Sequence, residues 1–585
     1  MKVSRIVSTL LSGIAFYSFN RAALLYVDSG ESSENIIIIL ETINKQVMPN
    51  IIPSIMGNPF MFGLGRTTLV AGATGAAMIW LIYFYYSFGE KKQMRGREYG
   101  SSRWGRKKDI KPLVDKVPDM NIILSETERI SIRKMRNFES ERNKNVIVIG
   151  GPGSGKTYTL VYSSLLQRHS SYVITDPKGS ILPETGYLFY DNGYEIRTFN
   201  TIDFKKSLHY NPLHYIKSEK DILKVVNVLI ENTKGDGHNS GDKFWVDCER
   251  LLYTAIIAYL WYEVPPEDQN IPSVIEMIES CQIKEDVKDY QSPTDILFEG
   301  LETKKPDCLA VKQYKKFKLA ADKTLKSILI SCAARLQPFD IEELREITAY
   351  DELRLDEIGE VKTAFYIIMS DTDSTYSFLI AMLMYQMFDL LSLKADTEYE
   401  GKLPVHVRCI LDEFANIGKI PDFHQVISTI RSREISCMLM LQSLTQLNAP
   451  YKEDANTIID CCDTLVFLGG KSLKTTKDIS EMIGKTTIDR QTVNESKGQS
   501  DSYSVNNQIL GRDLIDPAEI GRLKRNECLV LITNLPPFKS KKYKTKKHRR
   551  FKQIHAGGKP LFTMSGEIKQ DVLKNVKTVY EVTIA

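Results

Sequence analysis

The chain has 585 residues, enough for several domains, and its 43% hydrophobic and 26% charged residues exclude wholesale disorder. Nine cysteines without a C-x-x-C pair, the only neighbours being Cys461 and Cys462, leave no framework for disulfides or zinc and point to reduced thiols in a cytosolic compartment. The net charge of +4 does not exclude a nucleic-acid partner, because residues 539–552 hold nine Lys/Arg and no acid, residues 89–108 hold eight Lys/Arg and two acids, and the remainder is net acidic.

Two apolar stretches open the chain. Residues 6–27 are interrupted by Asn20 and Arg21. A signal peptide with Lys2 and Arg5 as its charged start is one reading. No small-x-small cleavage site follows, which favours a first transmembrane helix, with Arg21 near one end reaching the bilayer interface. Residues 67–88 run 22 positions without a charge, enough to cross a bilayer. Tyr83, Tyr85 and Tyr86 fall where an aromatic belt lies. Ala71, Gly72, Gly75 and Ala76 either admit a second helix closely or simply make the span flexible. Lys2 and Arg5 before the first span, with Lys91, Lys92, Arg95 and Arg97 after the second, predict cytoplasmic termini and an external loop 28–66. In that loop residues 36–40 are too short to span, and packing on the membrane or on a partner is expected. Topology and lipid headgroups account for the cationic run 89–108.

Residues 146–149 (VIVI) predict a strand, GGPGSGKT follows at 150–157, and YTLVYSSLLQRH predicts a helix. Strand, Gly-rich loop and helix in that order make a P-loop, in which Gly150, Gly151, Pro152, Gly153, Ser154 and Gly155 let backbone amides turn in around phosphates. Lys156 would neutralise the β- and γ-phosphates and the Thr157 hydroxyl would hold Mg²⁺. The strand 171–175 ends in Asp176-Pro177-Lys178-Gly179, which reads first as a β-turn and second as a wall of the site. The strand 405–411 (VHVRCIL) ends at Asp412-Glu413, placing one carboxylate for Mg²⁺ and the next as general base for water. The strand 436–441 ends at Gln442, either a γ-phosphate sensor or a helix cap. Further strands at 363–370, 463–468 and 527–533, with a long apolar helix to about Leu391, complete an alternating pattern. That pattern predicts an α/β fold with a largely parallel sheet and ligands at its strand C-termini.

Residues 262–350 are charged and helix-rich, read as an inserted all-alpha subdomain or as crossover helices. Residues 485–510 are polar and without hydrophobic period, expected to be a mobile loop or a poorly ordered hairpin. The run 539–552 interleaves Tyr543 and Phe551 with cations. It reads as a phosphate-backbone contact through Lys541, Lys542, Lys544, Lys546, Lys547, Arg549 and Arg550, or as a charged edge strand.

LDEFANIGKIPDF at 411–423 resembles the Walker B signature of the type IV secretion system coupling proteins, the TraG-type conjugative DNA-transfer ATPases. YGSSRWGR at 99–106, GPGSGKT, the TDPKG turn, HYNPL at 209–213, LQSLTQL at 441–447, ISEMIGK at 479–485 and LVLITNLPPFKSKKYK at 529–544 follow that family's order. The resemblance covers most of residues 99–550. It implies a RecA-like P-loop ATPase domain over 99–261 and 351–552, an all-alpha insertion at 262–350, an anchor of two spans over 1–98 and a tail at 553–585. It assigns Lys156 and Thr157 to Walker A, Asp412 and Glu413 to Walker B, Gln442 to the γ-phosphate, and Arg431 to a finger reaching a neighbouring subunit, with Arg433 a close competitor. Ser180 stands where the family often has an acid after the DPKG turn.

The expected protein is therefore a multi-pass plasma-membrane (inner-membrane) ATPase in contact with membrane lipid, a homo-hexamer using ATP and Mg²⁺. Its implied partners are a relaxase–single-stranded DNA complex and the subunits of a type IV secretion channel. A DNA-partitioning or helicase-like motor and a non-hydrolysing cargo receptor are the alternatives.

Overall fold

A computed structural model describes residues 2–30, 35–89, 99–135, 137–233, 243–282, 290–496 and 502–564. Lys91, Lys92, Arg95 and Arg97 and residues 565–585 lie outside them. The chain forms two compact units, Met1–Tyr99 with Thr487–Leu510, and Gly100–Thr486 with Gly511–Ala585.

In the first unit the helices Lys2–Asp28 and Arg66–Gly89 lie side by side. Their windows Ile6–Asp28 and Arg66–Tyr85 are long and apolar enough to cross a membrane. Small residues decide how closely they approach. A Cβ on Gly72 would come 2.9 Å from the Phe16 carbonyl oxygen, and one on Gly75 would meet the Phe19 ring at 2.7 Å. Of the two readings of the small-residue stretch, close helix packing is the one seen.

Arg21 departs from expectation. It does not reach outward but is 2% exposed, because the segment after the helix Met48–Gly57 folds back over it and supplies oxygen atoms. Within this loop three short helical stretches run Ile36–Thr42, Ile43–Val47 and Met48–Gly57. The strands Lys485–Ser496 and Ser502–Asp513 pair as a two-stranded sheet, the hairpin form of the polar segment.

The second unit is built on nine strands: β1 (Val146–Ile149), β2 (Ser171–Asp176), β3 (Glu195–Asn200), β4 (Thr363–Ile368), β5 (Val407–Leu411), β6 (Ile435–Leu441), β7 (Thr464–Phe467), β8 (Glu527–Ile532) and β9 (Phe538–Lys541). Their spatial order is β9-β8-β7-β1-β6-β5-β2-β4-β3. From β7 to β3 every pairing is parallel, and β8 runs antiparallel to both neighbours. The inner strands are buried on both faces, which explains their unbroken apolar runs. In β1, Val146 and Val148 face one core and Ile147 and Ile149 the other.

Seven strands match the sequence reading; of the two edge strands, β9 falls in the basic run for which a charged edge strand was one of two readings, and β3 was not read from the sequence. In β3 the polar residues hid the strand: Arg197 is fully buried between Glu195 and Glu357 and donates to the Leu353 and Arg354 carbonyls. β9 is the start of the basic run, so that run begins as a sheet edge.

Between Glu219 and Ile347 every described element is a helix or a helical turn. The helix Lys243–Glu263 packs against Leu309–Phe317 and Asp322–Leu336. Glu249 and Arg335 pair here at 2.7 Å with both side chains buried. Ser331 donates to the second carboxylate oxygen, and Arg335 Nη1 reaches Thr233 Oγ1 at 3.3 Å. The apolar helix Ser377–Glu398 is also long enough to span a membrane, but 72% of its window is buried and it belongs to the core.

Removing one partner of the Glu249–Arg335 pair strands a buried charge. Glu249→Ala is expected to cost about 3–5 kcal/mol, read as a lower urea midpoint of the detergent-solubilised protein. Replacing both residues by Met is expected to cost less than the single change.

Candidate nucleotide site

Parallel strands bring their C-terminal ends to one sheet edge, and the connections leaving β1, β2, β4, β5 and β6 meet there. They enclose a cleft of about 530 Å³, within the usual range for a small-molecule site. Residues 151–158 form one wall, and Asp176, Pro177, Lys178, Ser180 and Asp371 face it, with Asp412, Glu413 and Gln442 between.

The loop after β1 is shaped by two glycines. Gly153 and Gly155 have φ of +70° and +86°, a left-handed backbone that side chains rarely adopt. Its root continues the sheet: Gly150 N–H donates to the Leu441 carbonyl at 2.9 Å and Gly151 N–H to that of Gly469 at 3.0 Å. The helical turn Thr157–Val161 then begins, wound as a π-helix before Tyr162–Leu165.

The charged groups interlock. Lys156 Nζ lies 2.8 Å from Glu413 Oε1, with the lysine side chain 8% exposed. Gln442 Nε2 donates to Glu413 Oε2 at 3.2 Å. Thr157 Oγ1 donates to Asp412 Oδ2 at 3.1 Å, and Glu413 N–H to Asp412 Oδ1 at 3.0 Å. Glu413 itself has φ and ψ of 49°, a left-handed conformation that costs a residue with a side chain about 1–2 kcal/mol. Backbone strain of this kind gathers at functional sites. Burial pushes the Asp412 carboxyl up, against the pull of Lys156.

These residues fit a nucleotide with a divalent cation. A hydroxyl and a carboxylate stand together where a hard cation takes oxygen ligands. A buried lysine stands where phosphate charge would sit. Ser154 Oγ, inside the loop, is buried without a hydrogen-bond partner.

Of the residues predicted from sequence, Lys156, Thr157, Asp412, Glu413 and Gln442 converge. Asp176 lines the cleft and also caps the next helix, accepting N–H bonds from Ser180, Ile181 and Leu182 at 3.0, 2.7 and 3.2 Å. Arg431 lies elsewhere: it precedes β6, at the end of that strand opposite Gln442. A strand of 7 residues spans about 23 Å, so Arg431 stands far from the cleft of its own chain. Its side chain is 47% exposed and only 3.8 Å from Glu141, whereas Arg433 forms a two-pronged pair with Asp396 at 2.9 and 2.6 Å.

The basic run straps across the P-loop and the helix behind it. Lys542 Nζ donates to the Ser154 carbonyl at 2.8 Å, and Thr545 Oγ1 to that of Tyr158. Lys547 pairs with Glu126 at 2.6 Å, and Arg549 and Arg550 both with Asp119. Lys541, Lys544 and Lys546 are exposed and make no ion pair among the described residues. The contact of Lys542 with the loop was not legible in the sequence, since 388 residues separate the two. Asp371 was missed as well, although its place just past β4 was the available signal.

A family model, type IV secretory system conjugative DNA transfer, matches residues 103–568. The chain belongs to that family. Among curated relatives, the type IV secretion system-coupling protein VirD4 of Bartonella quintana is 23% identical over 68% of this chain and 62% of its own. A conjugal transfer protein TraG of Escherichia coli is 21% identical over 73% and 71%. The chain thus spans under two thirds of the VirD4 relative. The conjugative coupling protein TrwB, in a form with sulphate, aligns over 81% of this chain and 99% of its own at a TM-score of 0.56 and 16% identity. TrwB with ADP and Mg²⁺ aligns at 0.53 over 76% and 93%, again at 16% identity. The RecA-like P-loop fold expected from the motifs is therefore the fold of this family member.

Asp412 makes the site pH-sensitive. A carboxyl whose pKa is raised by folding binds its proton more tightly folded than unfolded, so ligand-free stability rises as pH falls through the range between the two values. The charge that holds a cation is lost in the same window. Asp412→Asn is expected to raise the melting temperature of the ligand-free protein at neutral pH. The same change should abolish the further rise on adding ATP with Mg²⁺.

Proposed function

We propose that this protein is a membrane-anchored coupling ATPase that drives relaxase-bound single-stranded DNA towards a type IV secretion channel. The observation that carries the reading is the Lys156–Glu413–Gln442 chain beside Thr157–Asp412, inside a P-loop cleft of a conjugative DNA-transfer family member. Lys156 and the loop amides would hold the phosphates of ATP, and Thr157 and Asp412 would hold Mg²⁺, which supplies charge neutralisation when bound. In the ligand-free cleft both oxygens of Glu413 are engaged. Phosphates taking Lys156 would free Oε1 of Glu413 to accept the proton of an attacking water, with Gln442 orienting the carboxylate or the water.

Assembly follows from the same geometry. Arg431 serves no purpose in its own cleft, so its exposed guanidinium is assigned to a neighbour's γ-phosphate, as a ring such as a hexamer would allow. The two N-terminal helices would anchor the ring in the plasma membrane against lipid, with N- and C-termini in the cytoplasm. Residues 262–350 would form the all-alpha face that meets the relaxase complex. Lys541, Lys544 and Lys546 remain open to DNA phosphates, while Lys542, Lys547, Arg549 and Arg550 hold the strap.

Glu413→Gln is expected to keep ATP affinity and lower DNA-stimulated kcat by roughly 100- to 10,000-fold; turnover at the wild-type rate would refute the assignment. Arg431→Ala should lower kcat about a thousandfold or more with ATP affinity kept, whereas Arg433→Ala should chiefly lower the melting temperature. Neutralising Lys541, Lys544 and Lys546 together should flatten the salt slope of single-stranded DNA binding by about 2, read from affinities across a salt series.

A further inference from the structure

The loop between the two N-terminal helices carries more than a connection requires. From Gln46 to Gly65 it contains no charged residue. Many of its large apolar side chains face outward: Met56 is 81% exposed, Phe60 93% and Leu64 81%. Five of its backbone carbonyls, those of Ser54, Asn58, Pro59, Met61 and Gly63, by contrast accept hydrogen bonds from the first helix.

Three side chains of that helix do this work. Tyr17 Oη donates to the Pro59 carbonyl at 2.7 Å. Asn20 Nδ2 donates to the carbonyls of Gly63 and Thr68, both at 3.0 Å, and its Oδ1 accepts from Gly63 N–H at 2.9 Å. Arg21 donates to Ser54 Oγ at 2.9 Å and to the carbonyls of Ser54, Asn58 and Met61 at 2.7, 3.2 and 2.9 Å. The guanidinium has no carboxylate among these partners. It faces the C-terminal end of the helix Met48–Gly57, where the helix dipole favours a cation.

The depth of these contacts is informative. Tyr17 lies eleven residues before Asp28, about 16 Å down the first helix at 1.5 Å per residue. Phe62 stacks on Phe16 at 5.9 Å, one residue deeper still. The turn after Met48–Gly57 therefore runs back alongside the spanning part of the helix pair.

A water-exposed turn has no need to bury its carbonyls against a neighbouring span or to shed every charge. A turn in hydrocarbon needs both, since no water is present to satisfy the backbone. We propose that residues 48–64 form a re-entrant element seated in the outer leaflet of the bilayer, with Met56, Phe60 and Leu64 among the acyl chains and Tyr17, Asn20 and Arg21 as its internal hydrogen-bond donors. The proposal rests on the reading of the two helices as membrane spans. The occupant of the apolar surface is lipid, because that surface continues the lipid-facing sides of the two helices, whose windows are only 17% buried.

Thiol accessibility tests it. The native cysteines all lie from Cys248 onward, so a cysteine placed earlier is read unambiguously in N-terminal peptides. The full chain is reconstituted in lipid nanodiscs, which leave both bilayer faces open, and treated with a charged, membrane-impermeant maleimide. Ile14→Cys reports the middle of the first span and Glu41→Cys reports solvent. Phe60→Cys, Met56→Cys and Leu64→Cys replace outward-facing side chains, so the fold is kept. The expected result is that all three resist labelling as Ile14→Cys does and react once SDS is added, while Glu41→Cys reacts at once. If the three label as readily as Glu41→Cys while Ile14→Cys stays protected, the loop is a solvent-facing surface and the proposal is overturned. If Ile14→Cys also labels freely, the membrane reading beneath it fails.

Discussion

Register in the parallel sheet is the constraint on which the site depends. β1 lies between β6 and β7, with Ile149 opposite both Leu441 and Phe467. The residues that follow these three strands are therefore forced together: Gly150 meets Leu441 and Gly151 meets Gly469. One step further along the sheet, β5 pairs with β6 so that Leu411 faces Leu439. Asp412, Glu413 and Gln442 then emerge at the height of the P-loop. A slip of one residue in any of these pairings would turn every side chain of the shifted strand to the other face. The two apolar cores that alternate along β1 hold the register, so burial and not the charged groups sets the geometry of the cleft.

Charge is then placed inside this frame at the cost of desolvation, and each buried cation has its own arrangement. Lys156 is paired with a carboxylate that has a second partner. Arg408, buried in β5, donates to the Lys144 carbonyl at 2.5 Å and to Ser436 Oγ at 2.9 Å, and burial pushes its pKa down to about 10. Arg335 is held by Glu249 in the helical layer, and Arg197 by two glutamates at the sheet edge. Of these four, it is the Lys156 pair that lines the open cleft. In the proposed reading, it is the pair whose partner an incoming anion would replace, so that an ion pair would serve function instead of packing.

The basic run shows how one segment divides its labour. Sequence offered two readings, a phosphate contact and an edge strand, and the structure contains the second while leaving room for the first. Phe538–Lys541 closes the sheet. Lys542, Lys547, Arg549 and Arg550 tie the strap to the P-loop, to Glu126 and to Asp119. Counting positive charge could not separate these roles, because the acids that neutralise the strap lie more than four hundred residues earlier in the chain.

Periodicity and motif spacing by themselves determined the class of fold, seven of the nine sheet strands and the five residues that converge in the cleft. They did so because buried parallel strands are continuous apolar runs and a phosphate loop needs glycine at fixed positions. Only the tertiary structure decided the rest. β3 stayed hidden because Arg197 and Glu195, which pair with each other, are completed by Glu357 and Arg354 from far along the chain. Arg431 was parted from its own cleft by the length of β6, and Arg433 was taken by Asp396. Arg21, which local sequence sends to the headgroups, is turned inward by a loop whose carbonyls it needs. Each of these depends on which groups meet across long sequence separations, and a local pattern carries no record of that.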